Sequence, residues 1–276
     1  MNNVKKVSPE AELDPRSRDL VFQMRGVSKS FPTPEGPLRL VLDDVNLDIQ
    51  QGEFVCLLGP SGCGKTTVMN LLARFITPTS GTLLVHGEPL VAPNPKHVTI
   101  FQEHGLFPWR TVIDNVAFGV QAQGASKSDA REKAIKYLEL VGLQEVATLF
   151  PHQLSGGMRQ RVAIARALAV EPEVIFMDEP FSALDAFTRY RLQDEMLRIW
   201  QDQKTTIIFV THDIDEAVYL GQKVVVMAPN PGRIEMVLPM NIARPCERTD
   251  SQFLYYRREI FKAFQLVHEW APEYAI

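Results

Sequence analysis

The segment GPSGCGKT, Gly59 to Thr66, constrains this chain more than any other, because it joins the apolar run FVCLL to the amphipathic run VMNLLARF. A glycine-rich loop between a buried strand and a helix is a phosphate cradle. Gly59, Gly62 and Gly64 leave room for backbone N–H groups to turn inward on phosphate oxygens, and the following helix adds the positive end of its dipole. Lys65 reaches the terminal phosphates, and Thr66 offers its hydroxyl to a magnesium ion that bridges them. This completes G-x-x-x-x-G-K-[ST] in the strand-loop-helix setting the pattern requires. Pro60, Ser61, Cys63 and Thr67 complete the candidate nucleotide-binding stretch.

Bulk properties narrow the classes around that loop. The chain has 276 residues, 45% of them hydrophobic, enough for one substantial core and a smaller lobe. Net charge is −4 (29 minus 33) with no basic stripe, which argues against a nucleic-acid binder. Cys56, Cys63 and Cys246 are scattered, with no C-x-x-C spacing, so neither a disulfide framework nor a zinc site is expected. No apolar stretch approaches the ~20 residues needed to cross a bilayer. Residues 1–19 are polar, without the apolar centre of a secretory signal, and are expected to form a flexible tail.

The chain alternates strand-like and helix-like runs. LVFQMRGV and LVLDDVNLDI predict an N-terminal antiparallel sheet between Leu20 and Ile49. EFVCLLG, TLLVHG, HVTIFQ, EVIFMDE, TTIIFVT and KVVVMAP predict the strands of a parallel core, several being unbroken apolar runs typical of strands covered on both faces. Between them, SKSDAREKAIKYLELVG places Ala130, Ala134, Ile135, Leu138 and Val141 along one helix face, which suggests an inserted helical lobe at about residues 103–168. A last helical stripe (Phe253, Leu254, Ile260, Phe261, Phe264, Val267) reads as packing surface in a C-terminal extension, 241–276. The main unit then spans 20–240.

Further phosphate chemistry stands outside the loop. Asp178 and Glu179 end the buried run VIFMDE, where one carboxylate can hold magnesium and the other polarise a water for in-line attack. In LSGGMRQRVAIARAL, Ser155 precedes Gly156, Gly157 and a long helix, which suggests a second helix N-terminus with bare amides for an anion. One nucleotide does not need both cradles. The second is therefore expected to serve the nucleotide of another copy.

These residues resemble the ATP-binding cassette family over roughly Leu20 to Val237, in the family's order. GPSGCGKT matches its Walker A motif, Gln102 its Q-loop, Leu154 to Met158 its signature, and Asp178 with Glu179 its Walker B and catalytic glutamate. Ser182, Ala183, Leu184 and Asp185 match its D-loop, and His212 its switch histidine. The resemblance implies a P-loop NTPase fold of mixed, mainly parallel sheet, with an N-terminal antiparallel β-subdomain and an inserted α-helical subdomain. It implies ATP and Mg2+ as cofactors, with Thr66, Gln102 and Asp178 at the metal, and a head-to-tail homodimer whose signature and D-loop act on the partner's ATP. Phe31 would stack on adenine, and His212 would touch the γ-phosphate. Met158 departs from the glutamine usual at its position.

Cassettes of this length resemble the ATPase subunits of importers, which sit peripherally on the cytoplasmic face of the membrane against separate permease chains that receive solute from a binding protein. FQEHGLFPWRTVIDNVAFGVQAQG, SALDAFTRYRLQDEMLRIW and PGRIEMVLPMNIARP resemble the nitrate, sulfonate and taurine branch, most closely the taurine and sulfonate group. Gln102, Phe107 and Trp109 would there couple the nucleotide to a permease helix. The rival reading, a soluble cassette protein of DNA repair or translation, would call for paired cassettes or a long coiled coil, and no sustained heptads occur. A P-loop kinase or GTPase would leave LSGGM and THD without a role.

Overall fold

In the computed structural model, residues 19–34, 36–101 and 105–264 are described. Two sheets organise the chain. The larger has the order β10-β9-β3-β8-β7-β6, formed by β10 (Arg233–Pro239), β9 (Lys223–Ala228), β3 (Phe54–Leu58), β8 (Thr206–Thr211), β7 (Val174–Asp178) and β6 (His97–Ile100). Every pairing in it is parallel except the antiparallel edge pair of β10 with β9.

β3, β7 and β8 are buried along their whole length. The reason is visible in how their side chains alternate between two cores. Phe54, Cys56, Leu58, Ile175, Met177, Ile207 and Phe209 face one core, whereas Val55, Leu57, Val174, Phe176, Ile208 and Val210 face the other. A strand covered on both faces has no position at which a polar side chain reaches water, so its sequence reads as an unbroken apolar run.

The smaller sheet is antiparallel, in the order β2-β1-β4-β5, from β1 (Leu20–Thr33), β2 (Gly36–Gln50), β4 (Ser80–Val85) and β5 (Glu88–Pro89). TLLVHG therefore lies outside the parallel core, where the sequence had placed it. Phe22, Gln23, Met24 and Arg25 pair with Val85, Leu84, Leu83 and Thr82. In β4 only Leu83 is fully buried, because the sheet covers one face of this strand and leaves the other wet.

Helices pack on both sides of the parallel sheet. α1 (Lys65–Leu72) lies against the smaller sheet's core, with Val68, Met69, Leu71 and Leu72 buried. α2 (Val112–Ala122), α3 (Lys127–Leu140) and α4 (Gly156–Ala169) form the helical lobe, and α5 (Ala186–Gln203) and α6 (Ile214–Leu220) follow. The start of each helix from α2 to α6 is capped by a side chain: Thr111, Ser126, Ser155, Asp185 and Asp213 accept backbone N–H bonds from the first turn. Ile135 leaves the predicted face of α3 and is exposed, while Tyr137 is buried beside Ala134 and Leu138. One residue beyond Ala134 is about 100° around the helix, which turns Ile135 to solvent.

α7 (Ser251–Ala263) packs on α6 through Phe253 and Ile260, and Phe264 lies partly buried against the same core. Leu254, read as part of that stripe, is exposed because it follows Phe253 by one position on the helix. Val267 and residues 1–18 lie outside the described residues.

Phe209 joins the sheet to the loop that follows β7, its ring centroid 5.5 Å from Phe181 and 6.0 Å from Phe54. Phe209→Ala is expected to lower stability by about 3–5 kcal/mol through cavity formation. Phe187→Ser, at an 88% exposed position, is expected to change it by less than ~0.5 kcal/mol. Denaturant unfolding of both variants beside the parent checks the contrast.

Candidate active site

β3 ends at Leu58, and the chain turns through Gly59–Gly64 into α1. Two glycines there answer steric demands: a Cβ on Gly59 would lie 2.7 Å from both Cys63 Sγ and the Met227 carbonyl, and Gly64, at φ +97°, would drive one to 2.5 Å from Leu42 Cδ2. The start of α1, unlike those of α2 to α6, has no capping side chain; its first turn also carries no acidic residue. Its first-turn amides and dipole end are thus left for an anion. Lys65 is buried, and its ammonium donates to the Gly59 carbonyl at 2.7 Å and the Pro60 carbonyl at 3.0 Å, inside the curl of the loop. Pro60, Ser61, Gly62 and Thr66 line the exposed rim; Thr67 is half-buried behind them and Cys63 is fully buried.

β7 brings the carboxylates to the same edge. Thr66 Oγ1 donates to Asp178, 3.0 Å from Oδ2 and 3.2 Å from Oδ1. Burial pushes the Asp178 carboxyl up, and the charge of Glu179 adds to this, while Thr66 and Lys65 act the other way. An anionic oxygen pair held in such a spot gains from a cation beside it. Glu179 sits at φ +47°, with its N–H on the Val210 carbonyl at 3.0 Å and its carboxylate 3.2 Å from His212 Nδ1. The turn that follows supports it, since both the N–H and the hydroxyl of Ser182 donate to the Glu179 carbonyl, at 3.2 and 2.9 Å.

The residues Leu154 to Met158 form a second cluster. Ser155 Oγ accepts from the Met158 N–H at 3.2 Å, so the amides opening α4 are not all bare, as the sequence reading had them: one is capped. Gly157 rests on the Ser182–Asp185 turn, where a Cβ would stand 3.2 Å from Leu184 Cδ2 and 3.5 Å from the Ala183 carbonyl. Met158 packs half-buried against the larger core, Leu154 is buried, and Asp185 caps α5 through Thr188 N–H at 3.0 Å. Among the described residues, no hydrogen bond or ion pair joins Ser155–Gly157 to the phosphate loop.

Phe31 lies in β1 opposite Arg39, with Lys29 Nζ 4.9 Å over its ring. Phe107 packs edge-on against Phe118 (4.8 Å) and lies 5.6 Å from Trp109, which is 72% exposed. Gln102 falls outside the described residues.

Several supports went unnoticed in the sequence. Gly232 runs against the phosphate loop, with its N–H on the Val41 carbonyl and its own carbonyl taking the Asp43 N–H. Asn115, fully buried, staples residues 107–111 by accepting from the Phe107 N–H and donating to the Phe107, Arg110 and Thr111 carbonyls. A lone Asn on the apolar face of α2 was the only trace of it in the sequence.

Comparison with known proteins agrees with this geometry. The ABC transporter family model matches residues 42–182. The nitrate import ATP-binding protein of Synechococcus elongatus is 49% identical over 225 residues, 80% of this chain and 82% of that one. The chain belongs to the ABC transporter family. The taurine import ATP-binding protein of Yersinia pestis is 46% identical, over 81% of this chain and 91% of its own. The bicarbonate transport ATP-binding protein of a Synechocystis species is 42% identical, over 88% and 87%. Among solved structures, an ATP-binding cassette in a dimeric post-hydrolysis state bound to ADP and Pi superposes with a TM-score of 0.74 at 30% identity, covering 80% of this chain and all of that one. The chain is accordingly an ABC ATPase subunit that binds ATP and is coupled to transport.

The site's own chemistry fits a triphosphate: an uncapped helix start, a buried ammonium within the loop, and a hydroxyl paired with a buried carboxylate. Gly232→Ala tests how closely that loop is held, since the new Cβ would fall 2.2 Å from the Cys63 carbonyl. The loop must shift. ATP affinity is expected to fall ~5- to 160-fold, the scale of ~1–3 kcal/mol of overpacking, in a fluorescent-nucleotide titration.

Proposed function

We propose that this chain is the ATP-hydrolysing subunit of an importer for a small anion or sulfonate of the taurine, aliphatic sulfonate or nitrate type, working as a nucleotide-sandwiched homodimer against separate membrane permease subunits. The observation that carries the hydrolytic part is the grouping of Lys65, Thr66, Asp178, Glu179 and His212 at one edge of the parallel sheet. In this reading Thr66, Asp178 and Gln102 hold magnesium, and Phe31 stacks on adenine. Lys65 and the loop amides would bind the phosphates of ATP, whose terminal phosphoanhydride breaks to release ADP, and magnesium would neutralise the charge on the phosphate oxygens. Glu179 accepts the proton of the attacking water at its carboxylate, and His212, beside it, holds water and phosphate in line.

Dimerisation is supported by the separate signature cluster and by the dimeric state of the similar cassette. Ser155 to Met158 and Ser182 to Asp185 would close on the partner's nucleotide. The ATPase unit takes residues 20–240, with the helical lobe at about 103–168 and an extension from 241. The solute class rests on relatives named for nitrate, bicarbonate and taurine import; their identities of 49%, 42% and 46% do not separate the taurine and sulfonate group from the others. Such a subunit sits peripherally on the cytoplasmic membrane face through its permease, with a solute-binding protein beyond. No described helix is long and apolar enough to cross a membrane.

The expected permease contact is a groove of about 520 Å³ between the lobe and the sheet edge, lined by Ile100, Phe101, Phe107, Phe118, Ala163 and Arg166. Phe101 and Gly105 are on its wall, and Gln102 falls between them in sequence, outside the described residues. Apolar walls of this kind suit a short amphipathic helix.

Glu179→Gln keeps the side-chain shape but accepts no proton. ATP binding should persist while turnover falls at least ~100-fold, the scale of a lost general base. With ATP the variant should also shift to dimer in light scattering, and adding Ser155→Arg should abolish the shift. Hydrolysis at the parental rate would remove Glu179 from the role.

Trp109→Ala tests the coupling surface. Because the ring is exposed, melting of the free subunit should be unchanged. Co-purification with the permease in detergent should weaken by ~1–3 kcal/mol, the range of an interface aromatic, and solute uptake should fall with it. Unaltered co-purification and uptake would rule the segment out.

A further inference from the structure

Behind the turn that carries His212 lies a buried polar cluster that none of the phosphate-site roles uses. Glu216, 7% exposed, occupies the first turn of α6. Its Oε2 accepts from Thr211 Oγ1 at 2.7 Å, and Thr211 Oγ1 in turn accepts from the Asp213 N–H at 3.0 Å. The two residues flanking His212 are thereby tied to one carboxylate. Asp213 adds a second tie by capping the N–H groups of Asp215 and Glu216 at 2.8 and 3.1 Å.

The other carboxylate oxygen faces α5. Gln193, fully buried, donates to Glu216 Oε1 at 3.2 Å and accepts from Arg248 at 2.6 Å. Arg189 approaches the same oxygen, with Nε 3.8 Å away and making no hydrogen bond among the described residues. Its other nitrogens reach Asp213 at 3.7 Å and the Leu184 carbonyl at 3.2 Å. One guanidinium therefore spans from the Ser182–Asp185 turn to the His212 turn. Burial pushes the Glu216 carboxyl up, so the cost of keeping it charged falls on its partners.

We propose that Glu216 and Arg189 are positioning residues of ATP hydrolysis, a strut that fixes the His212 turn relative to the Leu184 peptide. The proposal rests on the reading of His212 and the Ser182–Asp185 turn given above. Neither strut residue touches the phosphates. Their effect is on the placement of the residue that does, and a shift of ~1 Å in such a group is enough to slow chemistry strongly. Glu216→Gln is the informative substitution, because it keeps the volume and an acceptor for Thr211 while removing the anion opposite Arg189. Arg189→Gln removes the span from the other end.

The test measures ATP turnover, KM for ATP and melting temperature of the full-length chain for Glu216→Gln, Arg189→Gln, their double variant and His212→Ala. Each single strut variant should lower kcat by ~2- to 30-fold, the range of couplings through packed networks, with KM and melting close to the parent. The double variant should be no slower than the slower single one, since two ends of one strut fail together. His212→Ala should lose nearly all turnover. Parental kcat in Glu216→Gln beside an inactive His212→Ala overturns the strut alone, whereas parental kcat in His212→Ala overturns the reading of the histidine beneath it. Losses that add in the double variant, or that follow a drop in melting temperature, assign the pair to folding and overturn the proposal.

Discussion

Everything at this site depends on the parallel register of three neighbouring strands. Leu58 pairs with Thr211 and Asp178 with Val210, so β3, β8 and β7 end within a residue of one another. The chain leaves each strand at the same edge, and the residues just past those ends are Gly59, His212 and Glu179. A parallel sheet needs long crossovers between such strands, which is why residues scattered from Gly59 to His212 in sequence meet in space. The two apolar cores above and below lock that register, because a slip of one residue would exchange every side chain between them.

The placement of the candidate residues was legible in the sequence where it is local to a strand end or a helix start. The phosphate loop, Asp178 with Glu179, and His212 each follow an apolar run that announces its own strand. What stayed hidden depends on long-range packing. Nothing near Gly232 in the sequence shows that its backbone presses on the Cys63 carbonyl, and nothing near Arg189 shows that its reach ends at Asp213 and Glu216. Helix faces failed by single residues, at Ile135 and Leu254, because a wide apolar stripe does not say which of two adjacent positions points inward. TLLVHG failed for a different reason: a strand covered on one face and one covered on both can share a short apolar centre, and only pairing with Phe22 and Met24 decides between them.

The capped start of α4 changes what a second anion site there can mean. Ser155 spends its side-chain oxygen on the Met158 amide, which holds the turn in shape, while the amides of Gly156 and Gly157, opening the helix, have no partner within it. A Cβ at Gly156 would meet nothing within 4 Å, so that edge is open to an incoming group. In the proposed dimer, the uncapped start of α1 and the pre-shaped start of α4 would be complementary halves of a phosphate clamp. Among the described residues no hydrogen bond or ion pair joins them, and in the proposed head-to-tail dimer two copies would close the clamp twice.

The Ser182–Asp185 turn touches Glu179, the start of α4 and Arg189 at once. Its Ser182 hydroxyl and N–H hold the carbonyl of Glu179, its Leu184 side chain lies under Gly157, and its Leu184 carbonyl receives Arg189. Displacing this turn therefore moves the carboxylate proposed as base, the helix start offered to a partner's phosphate, and the guanidinium that reaches the His212 turn. Packed interiors resist small continuous shifts, so a turn with this many rigid attachments is held in a few discrete positions. In the proposed dimer, binding at the start of α4 and chemistry at Glu179 would be coupled through this turn, since a closure that reseats Gly157 on Leu184 would reseat Glu179 as well. An ATPase whose turnover must wait for a partner needs such a junction between the surface that meets the partner and the group that takes the proton.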